Sequence, residues 1–214
     1  MTFDNAALAY TIGGATPIQF ITSGIDSIVN NSANTQTITD TVNLFFNGSK
    51  GFNTGSVAGG SLALTNVVFR ADSMSTGQTN TLTLTGSNNG TISGTISRSG
   101  TFAGTATDAL TKTGTGTLTL SGTNTYTGAT TISAGTLSLG NGGAAGSLAN
   151  MAIVDNGALV INRSDAVAIS TVITGTGSFT NAGGGTTTAA PVVPTTASTA
   201  AASPRRVSRA FLSS

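Results

Sequence analysis

The side chains that could carry out acid–base chemistry in this chain of 214 residues are aspartates, because the sequence contains no His, Cys, Glu or Trp. Without His and Cys, neither a Ser-His-Asp or Cys-His nucleophile pair nor a His/Cys zinc site can form. Hydrolysis of a polysaccharide would need two carboxylates held together as acid and base. The seven aspartates are instead scattered, at Asp4, Asp26, Asp40, Asp72, Asp108, Asp155 and Asp165. We therefore predict that the protein is not an enzyme and has no catalytic residues.

Three further patterns could indicate binding sites, and each has a simpler structural interpretation. The G-G-x-G-x-D repeat that binds calcium is absent, so we expect no metal ligands. Residues 140–145, GNGGAA, formally match the dinucleotide pattern G-x-G-x-x-A, but no useful helix follows and a corner between strands is favoured. Phe45, Phe46 and Phe52 lie near Lys50, where core filling or end packing is favoured over a ligand platform. We expect no cofactor-binding residues and no cofactor.

Charge is sparse and unevenly distributed, since only 7% of the residues are charged. Residues 1–185 carry five basic side chains and all seven aspartates, and the last 29 residues add only arginines, at Arg205, Arg206 and Arg209. The body therefore has no basic stripe for phosphates, and we expect no nucleic-acid partner. No apolar run approaches about 18 residues, so we also expect no membrane-spanning helix.

The elements that would position any site show a spacing of about twenty residues between apolar side chains. This spacing predicts stacking in register, rung upon rung. The predicted stacks are Leu44–Leu64–Leu84, Leu62–Leu82–Phe102, Leu118–Leu137–Leu159, Leu120–Leu139–Ile161, Ile132–Ile153 and Val154–Ile173.

Within each unit, apolar and small polar residues alternate as in a strand with one buried face, for example in TLTLT (81–85), TLTLS (117–121) and ALVI (158–161). Asn-Gly turn signals follow at 47, 89, 141 and 156. We predict an all-β, right-handed parallel β-helix (a solenoid) with about 20 residues per rung. Asn-Gly turns also suit hairpins, so an antiparallel sandwich or a propeller is the alternative.

Composition changes sharply near Gly185, because all 29 glycines precede it or are it, and three of the four prolines follow. We predict a β-helical passenger-like segment over 1–185 and a disordered low-complexity tail over 186–214. The tail composition is also what a shifted reading frame of Gly-, Asn- and Thr-rich coding sequence would give. The opening residues, MTFDNAALAY, lack the basic and apolar regions of a signal peptide.

Residues 110–140 are the most specific part of the sequence. They read LTKTGTGTLTLSGTNTYTGATTISAGTLSLG and resemble the autotransporter-associated β-strand repeat of bacterial passenger regions. The matching positions are Leu110, Lys112, Gly114, Gly116, Leu118, Leu120, Gly122, Asn124, Tyr126, Gly128, Thr130, Ile132, Gly135 and Leu137. Here the glycines should free the backbone for tight corners and the aliphatic residues should point inward. We expect Tyr126 on a longer loop and Asn124 bonded to that turn.

The resemblance implies a place outside the bacterial cell. Such passengers are exported through a C-terminal outer-membrane β-barrel translocator, which we expect to be absent from this chain, and the repeat is thought to help the passenger fold or leave the cell. We therefore predict a non-enzymatic stalk or passenger fragment of an extracellular or cell-surface protein. The first alternative is an adhesin that binds surface glycans or proteins of host or neighbouring cells. The second is a degenerate fragment of a β-helical polysaccharide-active enzyme.

Overall fold

The computed structural model describes residues 1–3, 9–14, 17–20, 26–45, 50–55, 60–70, 76–100, 106–148 and 152–194. These residues form 21 strands and no helix. The first eleven strands are β1 (Thr2–Phe3), β2 (Thr11–Ile12), β3 (Ile18–Phe20), β4 (Asp26–Asn30), β5 (Thr35–Leu44), β6 (Lys50–Asn53), β7 (Ser61–Arg70), β8 (Thr79–Thr85), β9 (Asn89–Ile92), β10 (Ile96–Ser99) and β11 (Thr107–Lys112). The others are β12 (Thr117–Leu120), β13 (Thr130–Ile132), β14 (Thr136–Leu139), β15 (Ile153–Asp155), β16 (Ala158–Ile161), β17 (Val167–Ile169), β18 (Ile173–Gly175), β19 (Ser178–Asn181), β20 (Thr187–Ala189) and β21 (Val192–Pro194).

The strands stack into three sheets that run along the molecule. The first sheet has nine strands in the order β1-β4-β6-β8-β11-β13-β15-β18-β21. The second has ten, in the order β19-β16-β14-β12-β9-β7-β5-β2, with β10 beside β7 and β3 beside β5. The third pairs β17 with β20. Every strand pairing among the described residues is parallel, which confirms the predicted parallel β-helix and excludes the antiparallel sandwich for this part of the chain.

The predicted stacking register is confirmed in the second sheet from β12 to β16. Leu118 pairs with Leu137, which pairs with Leu159. Leu120, Leu139 and Ile161 form the neighbouring stack in the same three strands. These side chains are all buried, so the periodic leucines mark the inner face of the second sheet.

The predicted register is wrong elsewhere. Leu44 stacks on Phe69 rather than Leu64, and Leu62 lies opposite Gly90 rather than Leu82. Leu64 pairs with Ile92 rather than Leu84, and Leu82 pairs with Leu110. The predicted partner of Leu82, Phe102, lies outside the described residues.

The two pairings predicted between strands of the first sheet are displaced by one or two residues. Ile132 lies opposite Asp155, and Val154 lies opposite Thr174. The one-residue slip opposite Val154 exchanges the two faces of the strand, whereas the two-residue slip opposite Ile132 keeps the same face.

Rung length separates the molecule into two regions. Up to β12, paired residues are 24 to 32 positions apart, as for Ile28 with Phe52 and Lys50 with Leu82. From β13 onward they are 19 to 23 apart, as for Thr117 with Thr136 and Thr130 with Ile153. We call these the wide rungs and the narrow rungs. The predicted rung of about 20 residues therefore describes only the narrow rungs.

The core lies between the sheets and is built from alternate residues of each strand. In β8, for example, every second side chain is buried, and β7 shows the same alternation on either side of Thr65 and Asn66, which are both partly exposed. This alternation is the strand period that the sequence showed. The fully buried large apolar side chains include Ile28, Ile38, Leu44, Phe52, Phe69, Leu82, Ile92, Ile96 and Leu110.

Two short strands continue the solenoid past the predicted boundary at Gly185. β20 pairs with β17, and β21 pairs with β18, each in parallel register. The side chains of Val192 and Val193 are about half exposed. The division into 1–185 and 186–214 stays a prediction, and the residues that the structure describes end at Pro194.

Candidate functional site

Residues 110–139 lie where the wide rungs meet the narrow ones. They comprise the end of β11, all of β12, β13 and β14, and the connections between them. In the preceding rung, which we describe as below, Leu110 pairs with Leu82, 28 positions earlier. In the following rung, described as above, Leu110 pairs with Thr130, 20 positions later. The segment therefore contacts a wide rung on one side and supplies a narrow rung on the other.

Asn124 connects three successive rungs through its side-chain amide. Its Oδ1 accepts a hydrogen bond from the backbone N–H of Ile96 at 2.8 Å, and its Nδ2 donates to the carbonyl of Ser147 at 2.6 Å. Only 4% of Asn124 is exposed, so both bonds are sheltered from water. The expected bond to its own turn also forms, from Nδ2 to the Gly122 carbonyl at 3.4 Å. A buried amide that saturates backbone groups on both neighbours fixes their register.

Tyr126 lies on the connection between β12 and β13, as expected, but its side chain enters the core. Only 2% of the residue is exposed, and its hydroxyl shares a hydrogen bond of 2.6 Å with Thr130 Oγ1. The connection runs along the preceding rung. Thr125 N–H donates to the backbone carbonyl of Ile96, and Gly128 N–H donates to the backbone carbonyl of Asp108. Burial raises the pKa of the Tyr126 phenol, and the bond to Thr130 offsets part of this effect.

Lys112 ends β11 with its ammonium group turned into the corner. The side chain is 3% exposed, and Nζ donates to the carbonyl of Gly114 in its own rung and to that of Ala134 in the next, the latter at 3.4 Å. Burial lowers the pKa of Lys112 to about 8. The amine thus satisfies two corner carbonyls that the strands leave unpaired.

Glycines at the corners allow successive rungs to touch backbone to backbone. A Cβ on Gly122 would overlap the carbonyl of Gly94 in the rung below. Gly135 has φ of +66° and would meet the carbonyls of Gly114 and Gly116. Two of the glycines that define the sequence pattern are therefore required by close approach, as predicted for tight corners.

Two arginines fix further corners, and neither was expected to do so from the sequence. Arg98 Nε bonds Asp108 Oδ2 at 2.6 Å, and its Nη2 donates to the Ala106 carbonyl at 2.7 Å. The buried Asp108 carboxylate also accepts from Asn80 Nδ2 at 3.1 Å. No pattern in the sequence identified Arg98, because its carboxylate partner lies in the following strand.

Arg163 plays the corresponding part above the repeat. It binds Asp165 with two bonds, of 2.8 and 2.7 Å, and donates to the carbonyls of Ala144 and Gly146. These bonds hold the glycine-rich loop 140–146 against the next rung. The hydrogen bond from Arg163 lowers the pKa of the half-exposed Asp165 carboxyl. The spacing of two residues between Arg163 and Asp165 was the available signal for this pair.

The residues that the sequence offered as alternative chemical sites occupy structural positions. Asp155 is buried at the end of β15, where burial raises its pKa and the Gly157 N–H donates to it at 3.0 Å. Asp165 lies instead in the loop after β16. GNGGAA (140–145) forms the loop after β14, with no helix among the residues described there.

The aromatic cluster also serves packing. Phe52 is fully buried in the core, and the ring of Phe45 lies 5.4 Å from the Arg70 guanidinium. Phe46 lies outside the described residues. Lys50 is buried, and its Nζ has no hydrogen-bond partner among the described residues. Burial lowers the pKa of Lys50.

Among the described residues, neither the carboxylates nor the cavity forms a metal or catalytic site. No group of three or more carboxylates there could hold a metal ion. A cavity of about 290 Å³ lies between the sheets above the repeat, and its lining is mainly aliphatic, with Leu139, Leu148, Ile153, Val167 and Ile169. No charged side chain lines it. Among the residues that the structure describes, no helix has the length and apolar character to cross a membrane.

A known family of repeats matches this segment. Residues 110–139 match the family model described as Passenger-associated-transport-repeat. The predicted recognition of this repeat is confirmed. Residues 110–139 are hereafter called the passenger repeat. The match covers the junction between wide and narrow rungs, so the corner contacts of Lys112, Asn124 and Gly122 all belong to it.

A curated relative resembles about a quarter of the chain. The adhesin BmaC autotransporter of Brucella suis biovar 1 (strain 1330) is 53% identical over 55 residues, which are 26% of this chain. The matched part spans only 2% of that relative's length. No solved structure matches the chain. The passenger repeat and this relative both show similarity to autotransporter proteins.

Proposed function

We propose that this chain is a non-enzymatic passenger segment of a surface or secreted autotransporter-like protein, and that its passenger repeat helps the passenger fold or leave the cell. The repeat match and the autotransporter relative support the class of protein. Four described carboxylates support the lack of enzymatic activity. Asp108 is engaged by Arg98, Asp165 by Arg163, Asp155 by its own turn and Asp40 by the Gly14 N–H. A polysaccharide-active site would need two of them together.

The observation that carries the folding role is the position of Asn124. A solenoid gains stability from contacts between adjacent rungs, so its folding spreads from any rung that both neighbours can join. The passenger repeat offers backbone partners to a wide rung at Ile96 and to a narrow rung at Ser147. It is therefore suited to begin folding, from which rungs are added in both directions.

Three buried leucines of the second sheet provide a matched test. Leu44 in a wide rung, Leu120 in the repeat and Leu159 in a narrow rung are each fully buried. Replacing any of them with alanine should cost about 3 kcal/mol. If the repeat folds first, Leu120→Ala should slow refolding by at least about tenfold, whereas Leu44→Ala and Leu159→Ala should mainly speed unfolding.

The measurement is stopped-flow refolding and unfolding of the 214-residue chain across a denaturant series, followed by circular dichroism. Equal stability losses in the three variants make the comparison independent of burial. Refolding that slows most for Leu44→Ala or Leu159→Ala would contradict a nucleating role for the repeat. Unfolding rates that change equally in all three would contradict it as well.

The adhesin alternative is favoured by the outward face of the second sheet. Paired strands place small polar side chains in register there, for example Thr91 beside Thr119, with Thr35 and Ser61 hydrogen-bonded at 2.8 Å. Neither β9 nor β12 contains a charged residue. A flat neutral hydroxyl-bearing face suits contact with neutral glycans.

A glycan array separates this alternative from an inert stalk. If the face binds glycans, Thr91→Lys with Thr119→Lys should weaken binding by at least about tenfold, since two unpaired charges would enter the contact. Thr131→Lys on the outer face of the first sheet is the control and should leave binding unchanged. Absence of any glycan binding by the unmodified chain would leave the passenger role without an adhesive one.

The proposed passenger segment also has a C-terminal boundary that differs from the one suggested by composition. We propose that the solenoid body continues past Gly185 at least to Pro194, because β20 and β21 stack in parallel on β17 and β18. Limited proteolysis followed by mass analysis tests this boundary. A protected fragment that ends near residue 185 would favour the boundary suggested by composition.

A further inference from the structure

The Asn-Gly pairs of this chain differ in how tightly the fold holds them, and we propose that Asn141 is a site of spontaneous deamidation. Four such pairs occur, at residues 47, 89, 141 and 156. Asn47 and Gly48 lie outside the described residues. The other three occupy different environments, which allows their reactivity to be ranked from the structure.

The reaction needs only the peptide and water. The backbone nitrogen of the glycine loses its proton and attacks the Cγ of the preceding asparagine, forming a new C–N bond. The Cγ–Nδ2 bond then breaks, and the side-chain amide nitrogen takes up one proton and leaves as ammonia. Water then opens the resulting succinimide at either carbonyl, which gives aspartate or isoaspartate. Glycine favours the attack because it has no Cβ and its backbone rotates freely.

Asn141 meets the requirements for this attack. Its side chain is exposed in the loop after β14, and it forms no hydrogen bond with any described residue. Gly142 has φ of +95°, and nothing would lie within 4 Å of a Cβ placed on it. The single bond to break is that from Gly142 N–H to the carbonyl of Asn162, at 2.8 Å.

Asn156 is held more firmly by its neighbours. Its Oδ1 accepts hydrogen bonds from the backbone N–H of Thr176 at 3.1 Å and from the Thr176 hydroxyl at 3.3 Å. The attacking nitrogen of Gly157 donates to the buried carboxylate of Asp155. The nucleophile and the amide are thus both engaged, and both must be released before the ring can close.

Asn89 is held by the sheet itself. Its Oδ1 accepts from the Thr117 N–H at 2.9 Å. Gly90 lies within β9, where it pairs with Leu62 on one side and Leu118 on the other. Rotation into the attack geometry would require two ladders to open, so this pair should react at the slowest rate.

The product changes the surface at one corner. Deamidation would add a carboxylate to the loop that Arg163 holds through the carbonyls of Ala144 and Gly146. An isoaspartate would also lengthen the backbone next to the bond between Gly142 and Asn162. In a protein displayed outside the cell, this corner would accumulate negative charge with age.

Peptide mass mapping of the 214-residue chain, incubated in mildly alkaline buffer, tests the proposal. Asn141 should convert at least about tenfold faster than Asn156 or Asn89, because fewer hydrogen bonds must open. The matched control is the same chain in concentrated urea, where the three rates should converge. Equal rates in the native chain would overturn the proposal. A preference for Asn141 that persists unchanged in urea would overturn it too, because sequence rather than fold would then set the rate.

Discussion

The wide and narrow rungs close the same solenoid with different amounts of strand. In the wide rungs the second sheet carries strands of ten residues, β5 and β7, whereas β12, β14 and β16 have four each. The extra length adds a C-terminal extension to these strands, in which Val42–Leu44 of β5 pairs with Val67–Phe69 of β7 and β10 pairs with β7 in turn. This extension of the sheet ends at β10, one rung before the passenger repeat. The difference shows that rung size is set by how far the second sheet extends before the chain turns.

The two regions also fill their interiors differently. Buried polar side chains are concentrated in the wide rungs, where Asn30, Ser32 and Gln36 form a hydrogen-bonded group and Asn30 reaches the Ser61 carbonyl at 2.7 Å. Backbone contacts at glycines occur in both regions: a Cβ on Gly55 in a wide rung would meet the Asn30 carbonyl, and one on Gly157 in a narrow rung would lie 2.6 Å from the Gly135 carbonyl. What distinguishes the larger cross-section is the hydrogen-bonded group of amide and hydroxyl side chains that it encloses.

Substitution of Gly122 should have the largest effect on how the two regions are joined, because Gly122 makes the close backbone contact between the last wide rung and the repeat. Gly122→Ala places a methyl group against the backbone of Gly94, which cannot move without disturbing the ladder. We expect a loss of about 3 kcal/mol in the free energy of unfolding. Urea denaturation followed by circular dichroism measures this loss.

Gly184→Ala is the matched control, since nothing lies within 4 Å of the Cβ position there. Its stability should change by less than about 0.5 kcal/mol. If the two alanine variants are equally stable, backbone contact at the junction does not limit the rungs as described.

Asn124→Ala tests whether the junction couples the two regions. The substitution leaves the Ile96 N–H and the Ser147 carbonyl without their partner, which should cost about 2 kcal/mol. We further expect the unfolding transition to broaden or divide, because the rungs on either side would separate independently. Asn141→Ala, at an exposed side chain, should leave the transition unchanged; a sharp single transition in Asn124→Ala would argue against coupling through this residue.

The sequence predicts the strands and the second-sheet stacks of the narrow rungs well because period-two alternation and regular spacing act locally. Leu118, Leu137 and Leu159 stack as their spacing indicated. In the wide rungs, connections of variable length separate the strands, so the 20-residue spacing links Leu64, in β7, to Leu84, in β8, although these strands belong to different sheets. Period alone cannot distinguish a true stack from residues on different sheets.

The junction contacts depend on partners distant in sequence. The role of Gly122 follows from the backbone of Gly94, and that of Asn124 from Ile96 and Ser147. The family resemblance identified both positions without showing what they contact. Burial of Tyr126 was likewise hidden, because an isolated tyrosine between turn residues resembles an exposed loop side chain in sequence.

The buried lysines provide the smallest and most selective comparison, since one lies in each kind of rung. Lys50, in a wide rung, has no hydrogen-bond partner among the described residues, so Lys50→Met should raise the free energy of unfolding by about 1 kcal/mol at neutral pH. Lys112, at the start of the repeat, donates to two carbonyls. Its replacement should not give this gain, because Gly114 and Ala134 would lose a donor. Equal gains in both variants would show that the carbonyl contacts of Lys112 contribute nothing.

The pH dependence of stability isolates Lys112. Its pKa is about 8 in the folded protein against an ordinary 10.5, so between these values the unfolded chain binds more protons and stability rises with pH. From about pH 8 to about pH 9.5 the gain due to Lys112 should be about 1.5 kcal/mol in the unmodified chain. Lys112→Met should remove this gain and leave the part that Lys50 contributes through its own lowered pKa. The series stops below about pH 10, because the raised pKa of Tyr126 makes stability fall once the unfolded tyrosine ionises. A slope that survives in Lys112→Met but disappears in Lys50→Met would move the titrating amine from the junction to the wide rungs.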